Sequence, residues 1–456
     1  MPKKSSLASA KTKFATRLLI VTQFFPPDYA ATGQLIDELS RQLGKLGLEV
    51  SVFTGQPGYA FQKDSAAASE QREGVAVRRS RVSRWASHRI RGKAINSLLF
   101  CLRAVLHLLR HARRHHLLLL TTAPPYLQIL GYVVNLLTGV PYVCLIYDLY
   151  PDVATALKVV PSQHPLVRLW HGLNRRVWRR SQHIIVLSST MKQRVAAHCP
   201  EVRDRISVIH NWADPDWITP LPKAKNPFAC TQNLVYAEEC PSASCFTVLY
   251  SGNLGRCHDV ETLIEAAEQL RYQPVQFVFI GGGAQQPWCQ EKVQELQLTN
   301  CRFLPYQDRQ QLPYSLTACD LSLVSVKQGM EGLVAPSKLY SGLAAARPLA
   351  VICDADSYLV DLLAAARCGQ TFRQGDSAGL AAFIQYLMHH PEDATRMGKA
   401  GRRYLQSHFT PALIARQYVE VLCFGETVDV ALAPDGSTVR SPLWEEWERL
   451  YQRRNH

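Results

Sequence analysis

The segment Val334-Ala335-Pro336-Ser337-Lys338-Leu339-Tyr340 joins a proline, a hydroxyl suited to an N-cap, and a lysine at the start of an apolar helical pattern. A helix start offers unpaired N–H groups and partial positive charge, and both attract phosphate. Lysine in that first turn is unfavourable for the bare dipole and favourable once an anion sits there. A purely structural cap accounts for the same residues, so the segment alone leaves both open. The second candidate is Ser251-Gly252-Asn253-Leu254-Gly255-Arg256-Cys257-His258, between an apolar run and a helical pattern. Glycines there let backbone approach a ligand, and Arg256 can fork onto phosphate oxygens; a plain turn explains the spacing too. Gly33 holds the corresponding first loop of the amino-terminal half, where it could admit a phosphate or an acceptor, or only permit a turn. Asp148 and Asp152, in Tyr147-Asp148-Leu149-Tyr150-Pro151-Asp152, follow another apolar run. One of them could orient or deprotonate an acceptor hydroxyl, although aspartate is also a common turn former. The 15 histidines show no pair at metal-ligand spacing, so no metal is expected.

Short, continuous apolar runs must position these residues. Arg17–Thr22, Val50–Thr54, Leu117–Thr121, Tyr142–Tyr147 and His183–Leu187 read as parallel strands buried on both faces. Between the first two, Leu35, Leu39, Leu43 and Leu46 recur at helical spacing and Gly47 closes the helix, giving a right-handed βαβ unit. A second series begins at Phe246–Tyr250, with the helix Asp259–Leu270, then Val275–Ile280 running into Gly281-Gly282-Gly283, then Leu321–Val324 and Leu349–Ile352. The expected fold is α/β, two Rossmann-like open sheets with a cleft between them outside the carboxyl ends of the strands. The expected divisions are a flexible leader (1–16), an amino-terminal domain (17–215), a linker or insertion (216–245), a carboxyl-terminal domain (246–412), and closing helices (413–456), the first crossing back to the amino-terminal domain. Within that tail Trp444, Trp447 and Leu450 suggest a packed amphipathic helix.

Composition narrows the partners. The 456 residues carry 51 Lys+Arg against 37 Asp+Glu, a formal charge of +14, which calls for an anionic partner. No zinc-finger spacing, basic zipper or aromatic ribonucleoprotein signature is present, so nucleic acid is not expected. The cations gather in apolar helical segments instead, Ser97–Arg114 and Leu166–Arg180, the second with Trp170 and Trp178. Leucines and aromatics beside arginines suit an anionic membrane surface, and equally a half-buried helix with a solvated face. The 13 cysteines lack paired spacing and suit a reducing compartment. Residues 1–16 lack the apolar core of a secretory signal, and Leu127–Tyr147 divides into a buried helix, a Gly-Val-Pro turn and a strand rather than a membrane span. A cytoplasmic protein, peripheral on the inner face of the plasma membrane, is the expectation.

Taken together, the motifs resemble the retaining, metal-independent glycosyltransferases of the GT-B fold, family 4 type, which includes enzymes of bacterial polysaccharide and lipid-linked oligosaccharide synthesis. The resemblance runs from about Arg17 to Leu422. It is carried by Gln23-Phe24-Phe25-Pro26-Pro27 with Gly33, by Asp148–Asp152, and by Ile209-His210-Asn211-Trp212-Ala213-Asp214. In the second half it is carried by Tyr250–Arg256, Ile280–Gly283, Pro336–Tyr340, Cys368-Gly369 and Gly375-Asp376. The resemblance implies transfer of a sugar from a nucleotide diphosphate donor, UDP-linked by family habit, to a lipid-linked or saccharide acceptor, with retention of configuration and no cofactor. It implies that Arg256 and Lys338 neutralise the leaving diphosphate, helped by the helix start at Pro336 and Ser337. Gly252, Asn253, Gly255, Gly281, Gly282, Gly283 and Tyr306 would line the donor site, and Asp148 and Asp152 the acceptor side.

The chain departs from the family in the stretch that ends at Pro348, where the usual glycine before the proline is absent and Ala346-Arg347-Pro348 stands. Many members carry two glutamates eight positions apart before the closing proline; here Leu333 and Ser341 stand there. Glu331 is the nearest substitute for the first. Arg347, just before Pro348, is either a phosphate contact or a surface cation. Two other functions fit the fold: a nucleotide-sugar epimerase, and a non-catalytic membrane-associated member.

Overall fold

The computed structural model describes residues 16–28, 30–57, 66–80, 90–234 and 245–428. Residues 1–15 of the leader and the tail with Trp444, Trp447 and Leu450 lie outside the described residues. Two compact units divide the chain: residues 1–210 with 411–430 and 438–456, and residues 211–410 with 431–437.

The first unit is an eight-stranded sheet ordered β3-β4-β2-β1-β5-β6-β7-β8. Its strands are β1 (Arg17–Val21), β2 (Glu49–Thr54), β3 (Ser69–Arg72), β4 (Val75–Arg79), β5 (Leu117–Leu120), β6 (Tyr142–Ile146), β7 (His183–Val186) and β8 (Ile206–Val208). All neighbours are parallel except β3 and β4. The central strands β5, β6 and β7 are short runs with every side chain buried, because helices cover both faces. The helix Ala31–Lys45 turns Ile36, Leu39 and Leu43 inward at helical spacing. Helix Leu127–Thr138 ends on left-handed Gly139, and β6 follows three residues later, as the sequence indicated. Among the described residues no helix is long and apolar enough to cross a membrane.

The second unit is a six-stranded parallel sheet ordered β11-β10-β9-β12-β13-β14. Its strands are β9 (Phe246–Ser251), β10 (Val275–Ile280), β11 (Cys301–Leu304), β12 (Leu321–Ser325), β13 (Leu349–Ile352) and β14 (Gly369–Phe372). One core joins Val248, Tyr250, Phe277 and Phe279 to Leu263, Ile264, Leu380 and Ile384 of the covering helices. Within the stretch expected to be a linker or insertion, Pro227–Thr231 is helical, and Phe228, Ala229 and Leu234 pack on Leu249, Val278 and Ile280. Asn226 caps that turn, accepting from the backbone of Phe228 and Ala229 while its amide donates to Thr317, a local pattern with no apolar period to reveal it.

The two sheets bear out the expected α/β fold of two Rossmann-like domains.

Candidate functional site

At the carboxyl ends of β9 and β10 two glycine-bearing turns interlock. The Gly252 amide donates to the Ile280 carbonyl at 2.8 Å, and the Leu254 amide to the Gly282 carbonyl at 2.7 Å. A Cβ on Gly281 would stand 2.2 Å from the Gly252 oxygen, and one on Gly283 would stand 2.4 Å from Asn253 Oδ1. Both glycines hold positive φ, 130° and 139°, so two independent constraints exclude any side chain there. Tyr306 covers this turn; its hydroxyl donates to the Gly282 carbonyl at 3.3 Å. Gly255 lies so close to the Asn253 amide that a Cβ would meet it at 2.7 Å.

Lys338 lies along the first turn. A Cβ on Gly252, itself at φ 126°, would stand 3.0 Å from Lys338 Cε. The ammonium is 5.0 Å from the centre of the Tyr250 ring and 3.5 Å from His258 Nε2. His258 Nδ1 lies 2.8 Å from the Ser325 carbonyl, which accepts only from an N–H. That fixes the proton on Nδ1 and leaves the Nε2 lone pair toward the ammonium. Burial, then Lys338, pushes the His258 imidazolium down to about 3. Burial alone lowers Lys338 to about 8. No carboxylate among the described residues pairs with this half-buried ammonium, so its charge is uncompensated.

Arg256 is exposed and makes no hydrogen bond or ion pair with a described residue. Pro336 is buried, and Ser337 precedes the helix Lys338–Ala344, but the Ser337 side chain does not cap it. Ser337 already has helical dihedrals, which carry its hydroxyl away from the N–H groups a cap must reach. Ser341 donates to the Lys338 carbonyl at 3.0 Å, so its hydroxyl is committed within the helix. Glu331 is buried near Tyr358 and Cys353, and its charge adds to the burial that raises both. Arg347 is neither idle nor directed at a ligand: it donates to the Leu221 and Thr317 carbonyls at 2.8 and 2.6 Å.

In the first unit, Gly33 is helical rather than part of a loop. A Cβ there would stand 3.0 Å from Phe24 and Phe25 backbone, so the glycine lets that loop rest on the helix. The Asp148 amide donates to Thr122 Oγ1 at 3.2 Å, whereas its carboxyl has no partner among the described residues and burial pushes it up to about 6. Asp152 Oδ1 accepts from His198 Nε2 at 2.9 Å, an arrangement invisible in the spacing. Tyr250 and His258, which shape the ammonium's surroundings, also went unassigned from sequence; His258 closes the loop motif and was the available signal.

Comparison with known proteins agrees with this geometry. Residues 31–212 match the family model described as "Glycosyl transferase 4-like domain", and residues 244–404 match "Glycosyl transferases group 1". "Probable glycosyltransferase WbjE" of Pseudomonas aeruginosa is 22% identical over 398 residues, 86% of this chain and 94% of that protein. HepE of Anabaena, solved with UDP-glucose, superposes with a TM-score of 0.63 at 15% identity, covering 89% of this chain and 99% of HepE. WaaG, a glycosyltransferase involved in lipopolysaccharide biosynthesis, superposes with a TM-score of 0.64 at 14% identity, covering 89% of this chain and 99% of WaaG. With one glycosyltransferase family model matched in each half of the chain and the double Rossmann-like fold, the protein is a GT-B glycosyltransferase.

Proposed function

We propose that the protein transfers a sugar from a UDP-linked donor to a lipid-linked or saccharide acceptor in cell-surface polysaccharide synthesis, retaining the anomeric configuration without a metal at the diphosphate. One observation carries the donor side: the Lys338 ammonium, without a carboxylate, held against the bare backbone of Gly252. Breaking the glycosidic bond builds negative charge on the leaving diphosphate, and a fixed cation beside it lowers the barrier. Arg256 extends from the same turn to add a second cation. Gly281, Gly282, Gly283 and Tyr306 leave an unobstructed backbone edge for ribose and base. The UDP-glucose complex of HepE and the part WaaG takes in lipopolysaccharide biosynthesis support the donor and the pathway class.

Purified protein is to be incubated with labelled nucleotide sugars and a membrane lipid extract. Nucleoside diphosphate release together with label in lipid or saccharide is expected. Sugar isomerisation without release would make the chain an epimerase, and donor binding without turnover a non-catalytic member.

An anionic membrane surface belongs to the same proposal. Leu98, Leu102, Leu106 and Leu109 form an exposed stripe along the helix Ile90–His111. That helix packs on Leu127–Thr138, which exposes Val133, Leu136 and Leu137; the latter packs on Pro165–Arg180, which exposes Leu166 and Leu169. These side chains are 37% to 64% exposed, and Arg110, Arg113, Arg114, Arg168, Arg175 and Arg176 accompany them. Apolar contacts backed by arginine suit the interface of an anionic leaflet. Leu102→Glu with Leu106→Glu is expected to weaken sedimentation with anionic vesicles at least about tenfold, since each leucine contributes roughly 1.5–3 kcal/mol when fully buried. Thermal stability should hardly change, because both side chains already face water. Unchanged sedimentation would remove the membrane from the proposal.

A further inference from the structure

Asp152, His171 and His198 are separated by 19 and 27 positions in the sequence, yet their donor atoms lie within 4.8 Å of one another. Each sits at a fixed place on a regular element. Asp152 opens the helix Asp152–Ala156, His171 is mid-way along Pro165–Arg180, and His198 ends Ser189–His198. Neighbouring contacts hold them: Asn174 donates to the Tyr150 carbonyl at 2.7 Å, and the Tyr150 and Trp170 rings stack at 6.1 Å. The two imidazoles stack on each other, centroids 4.5 Å apart.

The cluster is incompletely satisfied by its own hydrogen bonds. His198 Nε2 reaches Asp152 Oδ1 at 2.9 Å, but His171 Nδ1 and Asp152 Oδ2 are 4.0 Å apart, too far for a bond. Both of those atoms are shut off from solvent without a partner, and such atoms ordinarily find a bridging species.

We propose that Asp152, His171 and His198 bind a single divalent zinc-class cation, with a fourth position open to water. Ligand bonds of about 2.0–2.1 Å in a tetrahedral site put donor atoms roughly 3.3 Å apart. His198 Nε2 stands 2.9 Å from Oδ1 and His171 Nδ1 4.0 Å from Oδ2 of Asp152, and the three donor atoms all lie within 4.8 Å of one another, so side-chain movements of an ångström or so close the site. Two imidazoles and one carboxylate match zinc or cobalt better than calcium or magnesium, which prefer all-oxygen shells. The nearby Arg175 opposes a cation, and Asp152 is the only carboxylate of the three to offset it. Such an ion would tie three helices to the loop carrying Asp148, four residues before Asp152. It is separate from the diphosphate cations and does not depend on the donor reading.

The test is titration of the full chain, freed of metal by chelator, with cobalt(II) as spectroscopic probe for zinc. One equivalent with visible ligand-field bands of a tetrahedral nitrogen–oxygen site is expected, displaced by zinc. His171→Ala and His198→Ala should each weaken it more than about 100-fold, and zinc should raise the melting temperature of the wild type alone. Near-ultraviolet thiolate bands, or binding abolished by alkylating the cysteines, would assign the ion to cysteine and overturn the proposal. Absence of saturable binding by the correctly folded wild type would overturn it as well and leave a bridging water between His171 and Asp152.

Discussion

Replacing Lys338 by alanine is expected to lower turnover by about 10²- to 10³-fold, the cost of removing one pre-organised charge from a transition state. The side chain is long, but its stem is fixed over Gly252 and its ammonium is lodged between the Tyr250 ring and neutral His258. Little ordering is left to do when a diphosphate arrives. Arg256 is solvated before binding and must be ordered by the donor, so Arg256→Ala should cost less. Lys338 also has a pH signature. With its pKa at about 8, lowered by burial, the side chain is already charged below pH 8 and must take up a proton above it. Affinity for nucleoside diphosphate should be flat below about pH 8 and fall by up to about tenfold per unit above it. Calorimetry in two buffers of different ionisation heat reads that uptake directly; it should vanish in Lys338→Met. Affinity that stays level well above pH 8, or turnover of the alanine variant within a few-fold of wild type, would remove Lys338 from the diphosphate site.

Asp148→Asn should lower turnover by about 10²-fold or more if the carboxylate orients or deprotonates the acceptor, and should at the same time stabilise the protein. The carboxyl rises from 3.8 to about 6 because burial disfavours its charge. A raised folded-state pKa means that the stabilising contribution is complete below pH 4 and is lost as pH climbs through about 6. At pH 8 the wild type carries the whole cost of the buried charge, and asparagine removes it. The expected gain is about 1–3 kcal/mol at pH 8, shrinking toward zero near pH 4. Wild-type activity should rise through about pH 6 as the carboxylate forms. A residue needed only for the turn would give the opposite stability result, so denaturation at the two pH values with steady-state rates decides the role.

The legible part of the fold was its centre. β1, β5, β6 and β7 are buried on both faces over nearly all their length, and a run such as Leu117–Leu120 can hardly be anything but an interior strand. The strands that escaped reading lie at or next to the sheet edges: β3 is Ser-Glu-Gln-Arg, β4 beside it is buried only at alternate residues, β8 has 3 residues, and β11 and β14 are only partly buried. One covered face gives too little apolar pattern to separate a strand from a loop. The donor side shows the same division. Glycines and Lys338 stand in local motifs and could be found, whereas the direction of the Ser337 hydroxyl depends on dihedral angles that no spacing encodes. Asp152, His171 and His198 were opaque for another reason. Their meeting is made by helix packing, and no short-range signal marks it.

The first unit is discontinuous in the chain. Helix Pro411–Val419 belongs to it, buries Ile414, Ala415 and Tyr418, and packs on the helix Ala31–Lys45. During synthesis, therefore, the whole of residues 211–410 emerges before the amino-terminal sheet receives this helix. A gene fragment ending at residue 210 lacks part of its own hydrophobic cover, whereas residues 211–410 form one continuous stretch. Dissection by cloning should thus be asymmetric: residues 211–410, which hold every described part of the second unit, can be excised as a single piece, but the first unit needs both ends of the gene, joined across the gap by a linker.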